Sequence, residues 1–146
     1  MRRRDFLGGG AAAVLLVAGG AADSGGGTNG ETRDSAGTAH RIGAHSRLLF
    51  VSGQVPADAD GETPPHFSEQ CRLAWRNVEA QLAAADMQLR HLVKVTVFLA
   101  RAEDRRRERE VRHARLRRIA QPSVSVVVTG IYDEAWRIEI EAIALA

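Results

Sequence analysis

Residues 137–146 read RIEIEAIALA, with Ile138, Ile140 and Ala142 facing one way and Arg137, Glu139 and Glu141 the other. A period of two with one apolar side is the pattern of a strand that buries a single face. Such a strand needs a layer laid over it, and the layer is visible upstream. From His66 to Ala85 the residues Cys71, Ala74, Val78, Leu82 and Ala85 recur at steps of three and four, the stripe of an amphipathic helix. Strand and helix are each one-sided, which is the condition for an α+β domain of packed layers.

Further elements follow the same logic. LLFVSGQV (48–55) reads as a strand ending at a Ser-Gly turn, and ADADGETPP (57–65) as the loop after it. Val93, Val95, Val97 and Leu99 alternate with Lys94, Thr96 and Phe98, a strand with one fully apolar face. Residues 103–120 predict a second helix with a less regular stripe (Val111, Leu116, Ile119), stopped by Pro122, before the strand SVSVVV (123–128). GIYDEAW (130–136) is a turn into the last strand. The order is one strand or two, then α, β, α, β, β. It predicts a mixed sheet with both helices on one face. The other face, carrying Val, Phe and Ile, is expected to be covered by another subunit.

The chain has 146 residues and is 45% hydrophobic, enough for one domain with a single core. That domain is expected over residues 39–146. Ahead of it, MRRRDFLGGGAAAVLLVAGGAA (1–22) joins a positive start to a short apolar run of small residues, the form of a removable export signal. Arg3-Arg4-Asp5-Phe6-Leu7 resembles the twin-arginine pattern. Leu7–Ala22 falls short of the ~20 apolar residues of a spanning helix. A periplasmic or secreted product with no stable membrane insertion is the expectation. Residues 23–38, DSGGGTNGETRDSAGT, read as a flexible tether.

The formal net charge of +2 rests on 20 Lys and Arg against 18 Asp and Glu, and loss of residues 1–22 removes it. RAEDRRREREVRHARLRR (101–118) stays basic, yet no aromatic residue interleaves the arginines to stack bases, so no nucleic-acid partner is expected. Cys71 is the only cysteine and can form no intramolecular disulfide. His40, His45, His66, His91 and His113 lack metal-ligand spacing, so neither a metal nor another cofactor is expected.

LLFVSGQVP, Gln70 and Asn77 seven apart in the first helix, LVKVTVFLA and RIEIEAIA occur in an order that resembles the RidA/YjgF family of enamine and imine deaminases, over roughly residues 40–146. The resemblance implies a chorismate-mutase-like fold assembled as a homotrimer, with small-molecule sites in clefts between subunits. It implies a substrate similar to 2-aminoacrylate or its 2-imino tautomer, hydrolysed to a 2-keto acid and ammonia. By the same resemblance Glu139 is the catalytic glutamate that positions or activates water, and Ser52 and Gly53 line the cleft. The family's carboxylate-binding arginine falls, without a gap, at Val124, and its site cysteine at Val126. The family's helix asparagine has no counterpart among Arg107, Glu108 and Arg109.

An isopropyl group cannot replace the paired hydrogen bonds of a guanidinium. Three readings follow. The cleft takes a neutral, apolar or cationic ligand, or a different imine; or a deaminase persists with a substitute arginine such as Arg72, Arg76 or Arg112; or residues 101–118 meet an acidic partner and the cleft is vestigial.

Overall fold

A computed structural model describes residues 47–146, so the expected export signal, the tether and the first residues of the expected domain lie outside the described residues. Four strands, β1 (Leu48–Gln54), β2 (Leu92–Leu99), β3 (Ser123–Val128) and β4 (Ile138–Leu145), form one sheet in the order β1-β4-β2-β3. β4 runs antiparallel to β1 and β2, while β2 and β3 are parallel. Helix α1 (Phe67–Ala84) leads from β1 to β2, and α2 (Arg105–Leu116) from β2 to β3. The α1 crossover leaves a gap between two strands of like direction, and β4 closes it.

The one-sided patterns meet as expected. Ile138, Ile140, Ala142 and Ala144 of β4, with Val95, Val97 and Leu99 of β2, pack against Cys71, Ala74, Trp75, Val78 and Leu82 of α1 and Val111 and Leu116 of α2. Both helices therefore cover one sheet face, as the α+β reading requires. The core has a cost, since the Trp75 Nε1 is buried with no hydrogen-bond partner among the described residues.

Two expectations need correction. Val93 is half-buried rather than part of the buried face, because the β2–β4 register shifts between Leu92 and Lys94 and turns Leu92 inward instead. The second helix is also shorter than 103–120. A 3₁₀ turn spans Ala102–Asp104, α2 ends at Leu116, and Arg118 takes a left-handed φ of 68°. Backbone geometry at Arg118, four residues ahead of Pro122, ends the helix, and Ile119 is 50% exposed outside the stripe.

Cys71 is fully buried, and burial pushes its thiol up to about 12, with Glu108 adding to the rise. A neutral, enclosed thiol is a poor nucleophile. Native protein at pH 8 is expected to resist a maleimide, and denatured protein to label fully; mass spectrometry of the two samples reads the difference.

Candidate functional site

β1 enters the open face of the sheet through a bulge. Val51 pairs with Ala142 and Gln54 with Ile140, so Ser52 and Gly53 together oppose the single residue Glu141. Such an insertion bends the strand and re-aims its backbone. A Cβ built on Gly53 would overlap the Glu139 carboxylate, lying 2.6 Å from Cδ and 3.0 Å from Cγ. Only glycine lets that side chain lie against β1. Burial, then the Glu141 charge, pushes the Glu139 carboxyl above the usual carboxylate range. A proton acceptor tuned upward suits a general base. Phe98 pairs with Glu139 across β2–β4 and Phe50, 48% exposed, sits on β1.

Gly53 and Glu139 thus lie together, with Ser52 beside Gly53 in the bulge. Because the residue at the end of the clash is a flexible side chain, Gly53→Ala is expected to displace the carboxylate rather than unfold the protein. Turnover that depends on Glu139 should fall while the melting temperature moves by only a few degrees; a loss of folding would contradict this.

Val124 and Val126 belong to a different place. They pair with Val95 and Val97, which face the helices, whereas Glu139 pairs with Phe98 on the opposite face. β2 also separates β3 from β4. Val124 packs at the margin of the core, while Val126 is 40% exposed and borders a groove of about 460 Å³ between β3 and α2. One chain does not bring Glu139 and Val126 together.

Of the substitute arginines, Arg112 lines this groove but is held by Glu108, Nε to Oε1 at 2.7 Å. Arg72 lines another groove, about 370 Å³, between α1 and α2, and Arg76 lines neither. Arg105 and Arg109 also border the groove at Val126, and the sequence reading did not single them out for it. Their signal was present: Arg105, Glu108, Arg109 and Arg112 recur at helical spacing and share a face of α2.

Gln70 and Asn77 act as scaffold. Gln70 Nε2 donates to the carbonyls of Pro64 and Ala135, each at 2.9 Å, and its Oε1 accepts from Arg137 N at 2.9 Å. Asn77 Nδ2 donates to the carbonyls of Val55, at 2.8 Å, and Ala57, at 2.9 Å, fixing the chain just beyond the bulge. Among the described residues no group of His, Cys, Asp and Glu is arranged to hold a metal, and no helix is long and apolar enough to cross a membrane.

A four-stranded mixed sheet with two helices on one face matches the YjgF, chorismate-mutase-like fold. A family model described as Endoribonuclease L-PSP matches residues 36–146, and the chain belongs to that family, which is the RidA/YjgF family. It is 32% identical to the putative reactive intermediate deaminase TdcF of Escherichia coli over 101 residues, covering 67% of this chain and 78% of TdcF. It is 45% identical to the RutC family protein YjgH of Escherichia coli over 69 residues, 45% of this chain and 53% of YjgH, so the match spans about half of that relative. The crystal structure of Escherichia coli TdcF with bound serine superposes with a TM-score of 0.65 at 29% identity, covering 77% of this chain and 96% of that one. The YjgF gene product of Escherichia coli gives 0.63 at 32% identity, covering 67% and 80%.

Proposed function

We propose that this chain is a Rid-type hydrolase of a small imine or enamine, acting at a site closed between copies of itself, with Glu139 as general base. The observation that carries the reading is the division of the site. Glu139 lies against Gly53 on the open sheet face, while Val126 and its groove lie on the helix face two strands away. A neighbouring copy laid over the open face, whose apolar side chains call for cover, brings a second groove to the first glutamate. A homotrimer closes three such sites.

Glu139 takes a proton from water as the oxygen attacks the C=N carbon and returns it to the nitrogen, giving the carbinolamine. It then takes the hydroxyl proton and passes it to the amine, so that the C–N bond breaks, ammonia leaves and the C=O bond forms. The balance is imine plus water to carbonyl plus ammonia. Ser52 and the Gly53 backbone supply polar contacts beside the attacked carbon. Val124 offers no charge, so any anion on the substrate is met elsewhere or the substrate lacks one at that point.

The test follows the loss of 2-iminopropanoate, 2-iminosuccinate and an uncharged imine, each generated in place by an amine or amino-acid oxidase, with Val124→Arg alongside. Wild type is expected to hydrolyse at least one of them faster than buffer, and Val124→Arg to shift preference toward 2-iminopropanoate. No acceleration of any of the three by either protein overturns the proposal.

The Arg3-Arg4-Asp5-Phe6-Leu7 pattern supports a site of action outside the cytoplasm. A reporter fused after residue 38 is expected in the periplasmic fraction, and the double change Arg3→Lys with Arg4→Lys to retain it in the cytoplasm. A reporter that stays inside in both cases rejects export.

A further inference from the structure

Helix α2 answers all but two of its arginines with an acid. Arg106 and Arg107 both pair with Glu110, at 3.1 and 2.8 Å, Arg112 with Glu108, at 2.7 Å, and Arg115 with Glu79 of α1. Arg105 and Arg109 make no ion pair or side-chain hydrogen bond among the described residues, and both border the groove at Val126.

The acids nearby do not neutralise them. Glu108 is 1% exposed and both its oxygens are taken by Arg112, at 2.7 and 3.4 Å. Glu103 has Arg101 and Arg137 as its cations, each at 3.9 Å. Two like charges four residues apart on one helix face oppose each other. Both border one cavity, which Glu103, Arg106, Glu108 and Arg112 also line.

The groove measures about 460 Å³, within the range of small-molecule sites, and Val126 and Ala102 give it an apolar part for a carbon skeleton. Guanidinium groups bind carboxylates and phosphates by paired, charge-assisted hydrogen bonds. We infer that the α2–β3 groove binds a small dianion, a dicarboxylate or a phosphate monoester, through Arg105 and Arg109. Resting on the proposed function, this makes the imine substrate a doubly charged one, its anionic end held by the helix that borders the strand where Val124 stands.

Isothermal titration calorimetry on the full chain at constant ionic strength tests it, with malonate and inorganic phosphate as dianion probes and acetate as the monoanion. A dianion probe is expected to bind at least about tenfold more tightly than acetate, and Arg105→Ala or Arg109→Ala to weaken it by about tenfold or more, the loss of hydrogen bonds to a charged group. Arg107→Ala, a residue already paired with Glu110, is the control expected to change binding by less than about twofold, as for a solvated surface pair. Malonate alone binding identifies a dicarboxylate, phosphate alone a phosphate ester, and both the shared dianion chemistry. Equal binding of acetate, unchanged binding in Arg105→Ala and Arg109→Ala, or an equal loss in Arg107→Ala overturns it. Glu139→Gln lies in the other half of the site and should leave dianion binding intact; wild type that binds a dianion yet accelerates none of the three imines rejects the enzyme reading and keeps this one.

Discussion

Glu139→Gln is expected to lower kcat for imine hydrolysis by about 10²–10⁴-fold, the usual contribution of a positioned general base. The amide keeps the shape against Gly53 and removes only the proton acceptor, so the fold and the KM should change little. Wild-type kcat/KM should fall as the pH drops through the Glu139 titration, and that limb should lie above the ordinary carboxylate value because burial and Glu141 raise it. For folding the sign is opposite. A carboxyl whose pKa is raised in the folded state adds stability below its unfolded pKa, and that contribution is lost as pH rises through the folded value. Glu139→Gln should therefore be at least as stable as wild type at neutral pH. Activity in the variant within threefold of wild type would remove Glu139 from the mechanism.

Arg137→Ala is expected to destabilise the domain by about 3–5 kcal/mol, the cost of leaving one partner of a buried ion pair alone. Arg137 Nε lies 3.0 Å from Asp104 Oδ2 and Nη2 lies 2.5 Å from Oδ1, with Asp104 only 5% exposed. The same guanidinium sits 5.3 Å from the centroid of Phe67 at the start of α1. One side chain therefore joins the entry to α2, the start of α1 and the start of β4. For a domain near 100 residues, about 1 kcal/mol moves the melting temperature by roughly 4–8 °C, so a fall of about 12 °C or more is the expected reading. Asp104→Asn with Arg137→Ala together should recover part of it, since no buried charge is then stranded. A change of less than 3 °C in Arg137→Ala would show that Asp104 finds water instead.

Much of the fold was legible because its elements are one-sided. The stripe Cys71, Ala74, Val78, Leu82 and the alternation Ile138, Ile140, Ala142 each specify a buried face, and those faces meet. Local register was not legible. The shift after Leu92 and the left-handed Arg118 follow from pairing and turn geometry that no periodicity reports. The site was half legible: Glu139 and Gly53 come together, but their separation from Val124 and Val126 depends on strand order, which puts β4 inside and β3 at the edge. Arg105 and Arg109 stood within a run of basic residues whose individual pairings only side-chain positions distinguish.

The absence of charge in SVSVVV takes on a further meaning at the sheet edge. Among the described residues β3 has β2 on one side and no strand on the other, and Val126, Val127 and Val128 are 40–46% exposed. An uncharged, β-prone edge is a template for pairing with any extended chain, and neither lysine nor proline within it blocks that. An uncovered edge of this kind recruits a second extended chain. Refolding yield should fall as protein concentration rises, because strand addition at this edge is of higher order in concentration than folding of the single chain.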